Sequence, residues 1–511
     1  MSWSTSFVDD LVRPPAPVVF AVRTLEVADE LTYRGPYIAS TDPRFGDPVL
    51  NGPPACTGAS LSLDSITATM GGWSFEVCGD IQFLREAIVR GTCVEILMGF
   101  GTYNVGDLER VGLGRVDNVR FDGRVCVLSI LDPSSLLDGR WVAAGDEGDL
   151  FWDLRPSERP STTLDVGYTA GDTTVDVAAT AGFPYETSGN GVILLGTHAL
   201  TFTGTTAGTF TGCSTVGRFL TTAADVAAAE SVYPAAYLYG NPLGIARKVL
   251  VSTGAGTNGA WDLYPASWGY GLPAEFVDMD DIAEEADQIV TCDPDVYKVE
   301  LLVTEPVTDP RGWFTGWLAK VGCFLSMRQG LITVRGLTGS TSRHREATAA
   351  FTDADIIPGT IRSEWFDSGR AKEYGKTDVY YGTSTTPLDS PVKVFNTLPG
   401  GVDKPVDLST LLYNEDGYAD AGSVMTEVHN RIYMFAKWIG EVISFDVGLV
   451  GMTVAVGDYV TLRTACPYLR YGYNRDGFDL EVLVVQVSPD YRRGICSIRV
   501  VNQFDVYSEE P

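Results

Sequence analysis

A single pattern of alternating apolar residues occurs twice in this chain, and it restricts the fold more than any other feature. Between Gly91 and Asp132, apolar residues fall at every second position on both sides of Asp122-Gly123, with Val119 and Phe121 before and Val125 and Val127 after. Period-two alternation broken by Asp-Gly predicts a strand, a tight turn and a returning strand. The landmarks are Gly91-Thr92-Cys93-Val94-Glu95-Ile96, then Val116-Asp117-Asn118-Val119-Arg120-Phe121-Asp122, then Cys126 and Ile130. Near the C-terminus the skeleton returns as Gly457-Asp458-Tyr459-Val460-Thr461-Leu462, Val484-Val485-Gln486-Val487-Ser488-Pro489-Asp490 and Cys496-Ser497-Ile498. Spacings are nearly kept while side chains differ, which predicts two related β-domains. Their candidate strand residues are Val94, Ile96, Val116, Val119 and Phe121 in the first, and Val460, Leu462, Val485 and Val487 in the second.

A chain of 511 residues exceeds what one hydrophobic core usually serves, so three or four domains are expected. The net charge of −29 argues against a protein that grips nucleic-acid phosphates from a basic groove. Acidity serves solubility, and it also suits a protein past which DNA must travel without sticking. The nine cysteines lie scattered, with no C-x-x-C pair, and His198, His344 and His429 have no cysteine at ligand spacing. Buried free thiols are therefore expected, with no metal site and no cofactor. Met1 to Asp10 lacks the features of a secretory signal, and no apolar run approaches the roughly 18 residues that span a bilayer. The reading is a product that stays in the cytoplasm where it is made unless something exports it, with no membrane insertion.

Residues 1–55 are proline-rich and predict an arm with a first strand at Val18 to Val22, adding one strand to a barrel. Residues 56–150 form the first β-domain, with strands at Ser60 to Leu63 and Trp73 to Val77, a helix from Ile81 to Arg90 capped by Asp80, and about six strands in all. Residues 160–236 read as an inserted all-β module of short strands (Thr163 to Tyr168, Thr174 to Val177, Gly191 to Leu195, Leu200 to Thr203). Its Thr/Gly-rich surface is either a solvated strand face or a sugar-binding one. Residues 237–358 predict an α+β region. Its helices are Pro242 to Val251 capped by Asn241, Asp280 to Ile289, and one from Asp309-Pro310 to about Val321; a hairpin comes next, around Gln329-Gly330. Residues 359–511 hold the second β-domain, with a strand at Lys376 to Tyr381, a long Pro/Thr/Asp-rich loop over 383–410, a helix over 421–437 and a strand at Val442 to Val447. The fold class is α+β, mainly β.

Tests for catalysis return little. Gly254 to Gly259 satisfies G-x-G-x-x-G, but a helix precedes it where a dinucleotide site needs a strand, so it reads as a glycine-rich helix exit. Asp278, Asp280, Asp281, Glu284 and Glu285 line the start of one helix, where the dipole favours them, and read as a solvated helix start. No serine or cysteine lies in a nucleophile-elbow context. A glycosidase needs only two carboxylates, which keeps one enzyme alternative open.

The pattern R-G-x-x-V-x-I followed by G-R-V-x-x-V-x-x-D-G-x-V-x-V-L-x-I-x-D resembles the first barrel domain of tail hub (baseplate hub) proteins of tailed bacteriophages. Arg90 to Ile96 and Gly114 to Asp132 carry it. Val456 to Leu462 resembles the second barrel of such hubs. The insertion, through Ala170 to Val177, Ala181 to Pro184 and Gly196 to Gly204, resembles a β-module common in phage tail proteins. The resemblance implies two tube-type β-barrel domains in a homotrimer, whose six barrels make a pseudo-sixfold ring below the last hexameric ring of the tail tube. It implies a structural virion protein at the tail tip, with a DNA ejection channel through which DNA passes transiently. The partners it implies are the tail tube or distal tail protein ring, the tape measure protein, and tip or fibre proteins. It carries over no catalytic residue. The alternative is a carbohydrate-binding or receptor-binding protein of the tail tip, and after it a glycan hydrolase.

Overall fold

The computed structural model describes residues 3–12, 17–28, 31–42, 49–62, 67–78, 90–101, 103–121, 126–138, 140–142, 146–148, 161–181, 183, 191–196, 198–215, 225–251, 269–292, 299–303, 307–337, 347–365, 376–382, 392–397, 406–413, 439–465 and 480–503. Alternation builds the first domain from β1 (Val18–Ala28), β2 (Leu31–Ser40), β3 (Val49–Leu50), β4 (Ala55–Cys56), β7 (Trp73–Cys78), β8 (Cys93–Phe100), β9 (Glu109–Phe121) and β10 (Cys126–Ile130), while β5 (Ala59–Ser62) and β6 (Thr67–Thr69), where a strand of this domain was expected, form a hairpin on the C-terminal sheet instead. The hydrogen-bonded path β1-β2-β3-β7-β10-β9-β8 returns to β1, so the sheet closes into a barrel. Closure removes the unpaired strand edges that an open sheet would expose. Phe20, Val22, Phe75, Val77, Val94, Ile96, Met98, Phe100 and Leu128 fill the interior, which is a packed core.

The N-terminal segment gives this barrel more than the one strand expected. It supplies two long strands and the helix Thr5–Val12. Phe7 and Leu11, one helical turn apart, are buried in the barrel core together with Trp3, and the Phe7 and Phe100 rings lie 6.0 Å apart. Pro36 lies within Leu31–Ser40 and is skipped in its pairing with β1, where Arg23 faces Tyr37 and Leu25 faces Arg34.

The insertion forms two small antiparallel sheets around its own core of Leu164, Val175, Ile193, Phe202, Phe210 and Val232. The α+β body comes next, with helices Pro242–Val251, Met279–Cys292 and Pro310–Lys320. As expected, Asn241 accepts from the Leu243 amide (2.9 Å) and Asp309 from the Gly312 amide (3.0 Å). The hairpin Cys323–Arg328/Leu331–Gly336 turns through Gln329 and Gly330, both at positive φ. The expected 383–410 loop is a correction: strands Val392–Thr397 and Val406–Tyr413 occupy much of it. They join Lys376–Gly382, Val299–Val303 and Ala236–Gly240 in one five-stranded sheet. Alternation in Val392-Lys393-Val394-Phe395 outweighs the flanking turn formers. The expected helices over 81–90 and 421–437 and the Gly254 to Gly259 motif lie outside the described residues, apart from Arg90.

In the C-terminal domain, Ile439–Gly448, Tyr459–Arg463, Leu480–Asp490 and Ile495–Gln503 form an antiparallel sheet. One segment flanks both of its edges: Ala349–Thr352 runs parallel to Tyr459–Arg463, and Arg362–Trp365 pairs with Ile439–Gly448. Unlike the first barrel, the hydrogen-bonded path does not close among the described residues, and Ile356 bridges to Val447. The two β-domains touch directly. Strand β5 pairs Ser60 with Gln486, and Tyr491 inserts its ring into the first barrel, 4.8 Å from Phe20 and stacked on Trp73 at 5.6 Å.

Candidate functional site

The two sequence copies fold with one register. In the first, Cys126, Leu128 and Ile130 of β10 face Val77, Phe75 and Trp73 of β7. In the second, Cys496, Ile498 and Val500 face Val447, Phe445 and Ile443. On the next ladder Phe121, Val119, Asn118 and Val116 of β9 face Cys126, Leu128, Ser129 and Ile130, and Pro489, Val487, Gln486 and Val484 face Cys496, Ile498, Arg499 and Val500. Both ladders carry a bulge at the same place, which skips Asp117 in one copy and Val485 in the other. A bulge adds a residue to one strand and bends it, so its recurrence is a stricter match than alternation alone. Cys93, Val94 and Ile96 face Arg115, Gly114 and Gly112, as Tyr459, Val460 and Leu462 face Leu483, Val482 and Leu480. The match extends to the turn before these strands. The amides of Gly91 and Gly457 donate to Val116 O (2.8 Å) and Val484 O (2.9 Å), and both glycines have φ above +90°.

Each copy is thus a four-stranded unit in which the first strand pairs with the last. Its outward residues are mostly polar. They are Ser74, Glu76, Asn118, Arg120, Ser129 and the apolar Val127 in one unit, and Ser444, Asp446, Gln486, Ser488, Arg499 and Ser497 at the matching positions. The residues singled out from sequence point the other way. Val94, Ile96 and Val116 are buried in the first barrel core, Val119 is half-buried against it, and Phe121 ends β9 opposite Cys126. Val460, Leu462, Val485 and Val487 belong to a separate core shared with the α+β body. These side chains hold the two units together, and the faces presented to any neighbour are the polar ones.

The units differ immediately after the matched glycines. Beyond Gly457, Asp458 is fully buried and accepts from Arg335 Nη2 at 3.0 Å. The same nitrogen donates to Asp281 (2.9 Å), and Nη1 donates to Glu285 (3.2 Å). Arg328 also donates to Asp281, as does the Thr333 hydroxyl (2.5 Å), and the Gly336 amide donates to Glu285 (3.0 Å). Burial alone would ease the proton off Arg335, but Asp458, Glu285 and Asp281 outweigh it and hold the guanidinium firmly charged. This overturns the reading of the carboxylates as a solvated helix start. Asp280 and Glu284 are exposed, but Asp278, Asp281 and Glu285 are buried. Asp281 and Glu285 are four residues apart, on the helix face turned to the hairpin, and both bond to Arg335. Among the described residues no group of three histidine, cysteine, aspartate or glutamate side chains is arranged to hold a metal.

A smaller cluster sits on the first barrel. Glu95, buried, accepts from Arg23 (2.5 Å) and Arg110 (3.0 Å), and Arg110 donates on to Glu275 O (2.6 Å). The contact with Glu275 O ties this cluster to the α+β body. Cys93, Cys126, Cys213, Cys323 and Cys496 are buried free thiols, and burial pushes Cys93 and Cys496 up to about 12, which makes those two poor nucleophiles; Cys78, expected to be buried, is exposed. No described helix is long and apolar enough to cross a membrane.

No family model and no curated protein matches this chain. Among solved structures it aligns with a tail protein of Neisseria meningitidis MC58, at 9% identity and a TM-score of 0.35 over 95% of this chain and 97% of that one. It also aligns with the 43 kDa tail protein of prophage MuSo2 from Shewanella oneidensis, at 10% identity and a TM-score of 0.32 over 94% and 98%. A chain of a native gene transfer agent virion aligns over 40% of this chain and 41% of that one, at 14% identity and a TM-score of 0.26. Superpositions this loose establish neither fold nor function by themselves.

Proposed function

We propose that this chain is a structural subunit of a bacteriophage tail, a homotrimeric hub at the tail tip. The observation that carries the reading is the register-for-register duplication, together with the sequence resemblance to tail hubs. A closed ring of three chains that each hold two equivalent units offers six similar positions, a geometry that joins a hexameric tail tube or distal tail protein ring to threefold tip or fibre proteins. The polar outward faces and the net charge of −29 suit a ring with a lumen through which DNA, and before it the tape measure protein, moves without adhering. On this reading the chain works by shape and is not an enzyme.

The carbohydrate-binding alternative finds little support in the inserted module. Sugar sites commonly use exposed aromatic faces, and among the described residues of the module Tyr168, Phe183, Phe202 and Phe210 are in its core while Tyr233 is half-buried. The test is mass by light scattering at rising concentration, then electron micrographs of the assembled protein. A mass three times that of the chain and a ring with six lobes are expected. A persistent monomer at concentrations like those in a virion, with no ring, would sink the proposal.

A further inference from the structure

The first barrel closes through a very short strand. β3 has 2 residues, and it links β2 to β7 by pairing Val49 with Ser40 and Cys78, and Leu50 with Val77. Directly beyond it stands Asn51-Gly52, the one Asn-Gly pair among the described residues. Asn51 is exposed, and its amide N–H donates to Glu76 O (2.7 Å), which extends the β3–β7 ladder by a bond. Its side-chain Nδ2 donates to Glu76 Oε2 (3.2 Å), and Glu76 Oε1 lies 3.5 Å from Arg492 Nη2 of the C-terminal domain. Gly52 is at φ +90°, and a methyl group placed on it would meet nothing within 4 Å. Among the described residues its amide N–H has no acceptor. An electrophilic side-chain amide is therefore followed by a backbone nitrogen that is neither crowded nor engaged.

We propose that Asn51 is a site of spontaneous deamidation, and that the reaction loosens the seam of the first barrel. The Gly52 nitrogen, losing its proton to hydroxide, bonds to Asn51 Cγ, and Nδ2 takes up a proton and leaves as ammonia. Water then adds to either carbonyl of the cyclic imide and breaks one of its C–N bonds. Breaking the new bond yields aspartate; breaking the original peptide bond yields isoaspartate, with the main chain rerouted through Cβ and Cγ. Asn104 and Asn118 are poorer sites because the branched valine after each crowds the nitrogen, and the proline after Asn241 has no N–H. Either product replaces the donor that faces Glu76 with a second carboxylate, a like-charge contact. Isoaspartate also adds a main-chain carbon where β3 has only its 2 residues to hold register between its neighbours.

Incubation of the full chain in mildly alkaline buffer tests this, read by peptide mapping and by isoaspartyl methyltransferase labelling. A one-charge acidic shift and label on the peptide that holds residue 51 are expected. Because no structure has to open first, the folded chain is expected to react within about tenfold of the rate in denaturant. Asn51→Gln is expected to remove the label, since the longer side chain must close a larger ring; peptide mapping of the parent assigns the position without that variant. In the converted chain, amide exchange over 49–51 and 76–78 is expected to rise about tenfold, with exchange over 94–98 unchanged. Conversion at residue 51 confined to the denatured chain, label that survives Asn51→Gln, or unchanged exchange along the seam each overturns the proposal.

Discussion

Arg335→Met removes the one cation that three buried carboxylates share, and its cost can be worked from the geometry. The guanidinium is fully buried and lies 2.9 Å from Asp281, 3.0 Å from Asp458 and 3.2 Å from Glu285. Methionine fills most of the volume, so the loss is electrostatic and not a cavity. Asp281 retains Arg328 and Thr333, Glu285 retains the Gly336 amide, and Asp458 retains the Ala455 amide at 2.8 Å. Two cations facing three anions become one facing three. Breaking a buried pair from one side costs about 3–5 kcal/mol, and the upper end applies where several anions are left. For a cooperative unit of about 150–250 residues that is a fall of roughly 6–20 °C in melting temperature. Asp458→Asn loses one charge-assisted bond and leaves the guanidinium two carboxylates, a loss of about 1.5–3 kcal/mol. The double variant is expected to lose less than the sum, because each single change removes the same contact. Calorimetry of the four proteins at neutral pH measures the coupling, and hydrogen exchange at 281–285 and 455–458 shows where it acts. Arg335→Met within about 1 kcal/mol of the parent, or strictly additive losses, would refute the view that this node pins the C-terminal domain to the α+β body.

The duplication gives an internally controlled pair. Gly91→Ala meets no atom within 4 Å and is expected to cost only the positive-φ strain of about 1–2 kcal/mol, whereas at Gly457→Ala the new methyl lies 2.8 Å from Arg335 Cγ and 2.9 Å from Phe324 Cζ, adding about 1–3 kcal/mol by denaturant titration. Asp278 is held above the usual carboxylate range, chiefly by burial, so its stabilising contribution is full below the unfolded value near about 3.9 and is lost as pH rises through the raised folded value. Asp278→Asn, which still accepts from the Asp281 amide, is therefore expected to be more stable than the parent at pH 7 and equal to it below about pH 4 in thermal melts. Residues 160–236, with a core of their own, are expected to unfold cooperatively when expressed alone, and no glycan on an array is expected to bind them.

The register was legible in the sequence because a strand repeats every two residues and a bulge shifts that count by one. The matched stretches Val116 to Asp122 and Val484 to Asp490 carry both signals without any fold being assumed. The helix caps at Asn241 and Asp309 were legible for the same local reason. What escaped was set by contacts distant in sequence. Nothing near Asp281 and Glu285 announces Arg335, about fifty residues on, or Asp458, which comes from the other end of the chain. A lone arginine in the apolar strand Leu331–Gly336 was the available signal, since a charge at an inward position needs a partner. Short strands such as Val392–Thr397 were hidden by the turn-forming residues around them.

Tyr491 gives the first barrel a peculiar order of manufacture. Its ring belongs between Phe20 and Trp73, yet the ribosome adds it about 360 residues after the last strand of that barrel. At roughly 5–20 residues per second, the nascent barrel waits on the order of 20–70 s with part of its core unfilled. The last strands therefore act as a closing stitch, and a chain released early leaves an open apolar mouth at the opposite end of its own sequence.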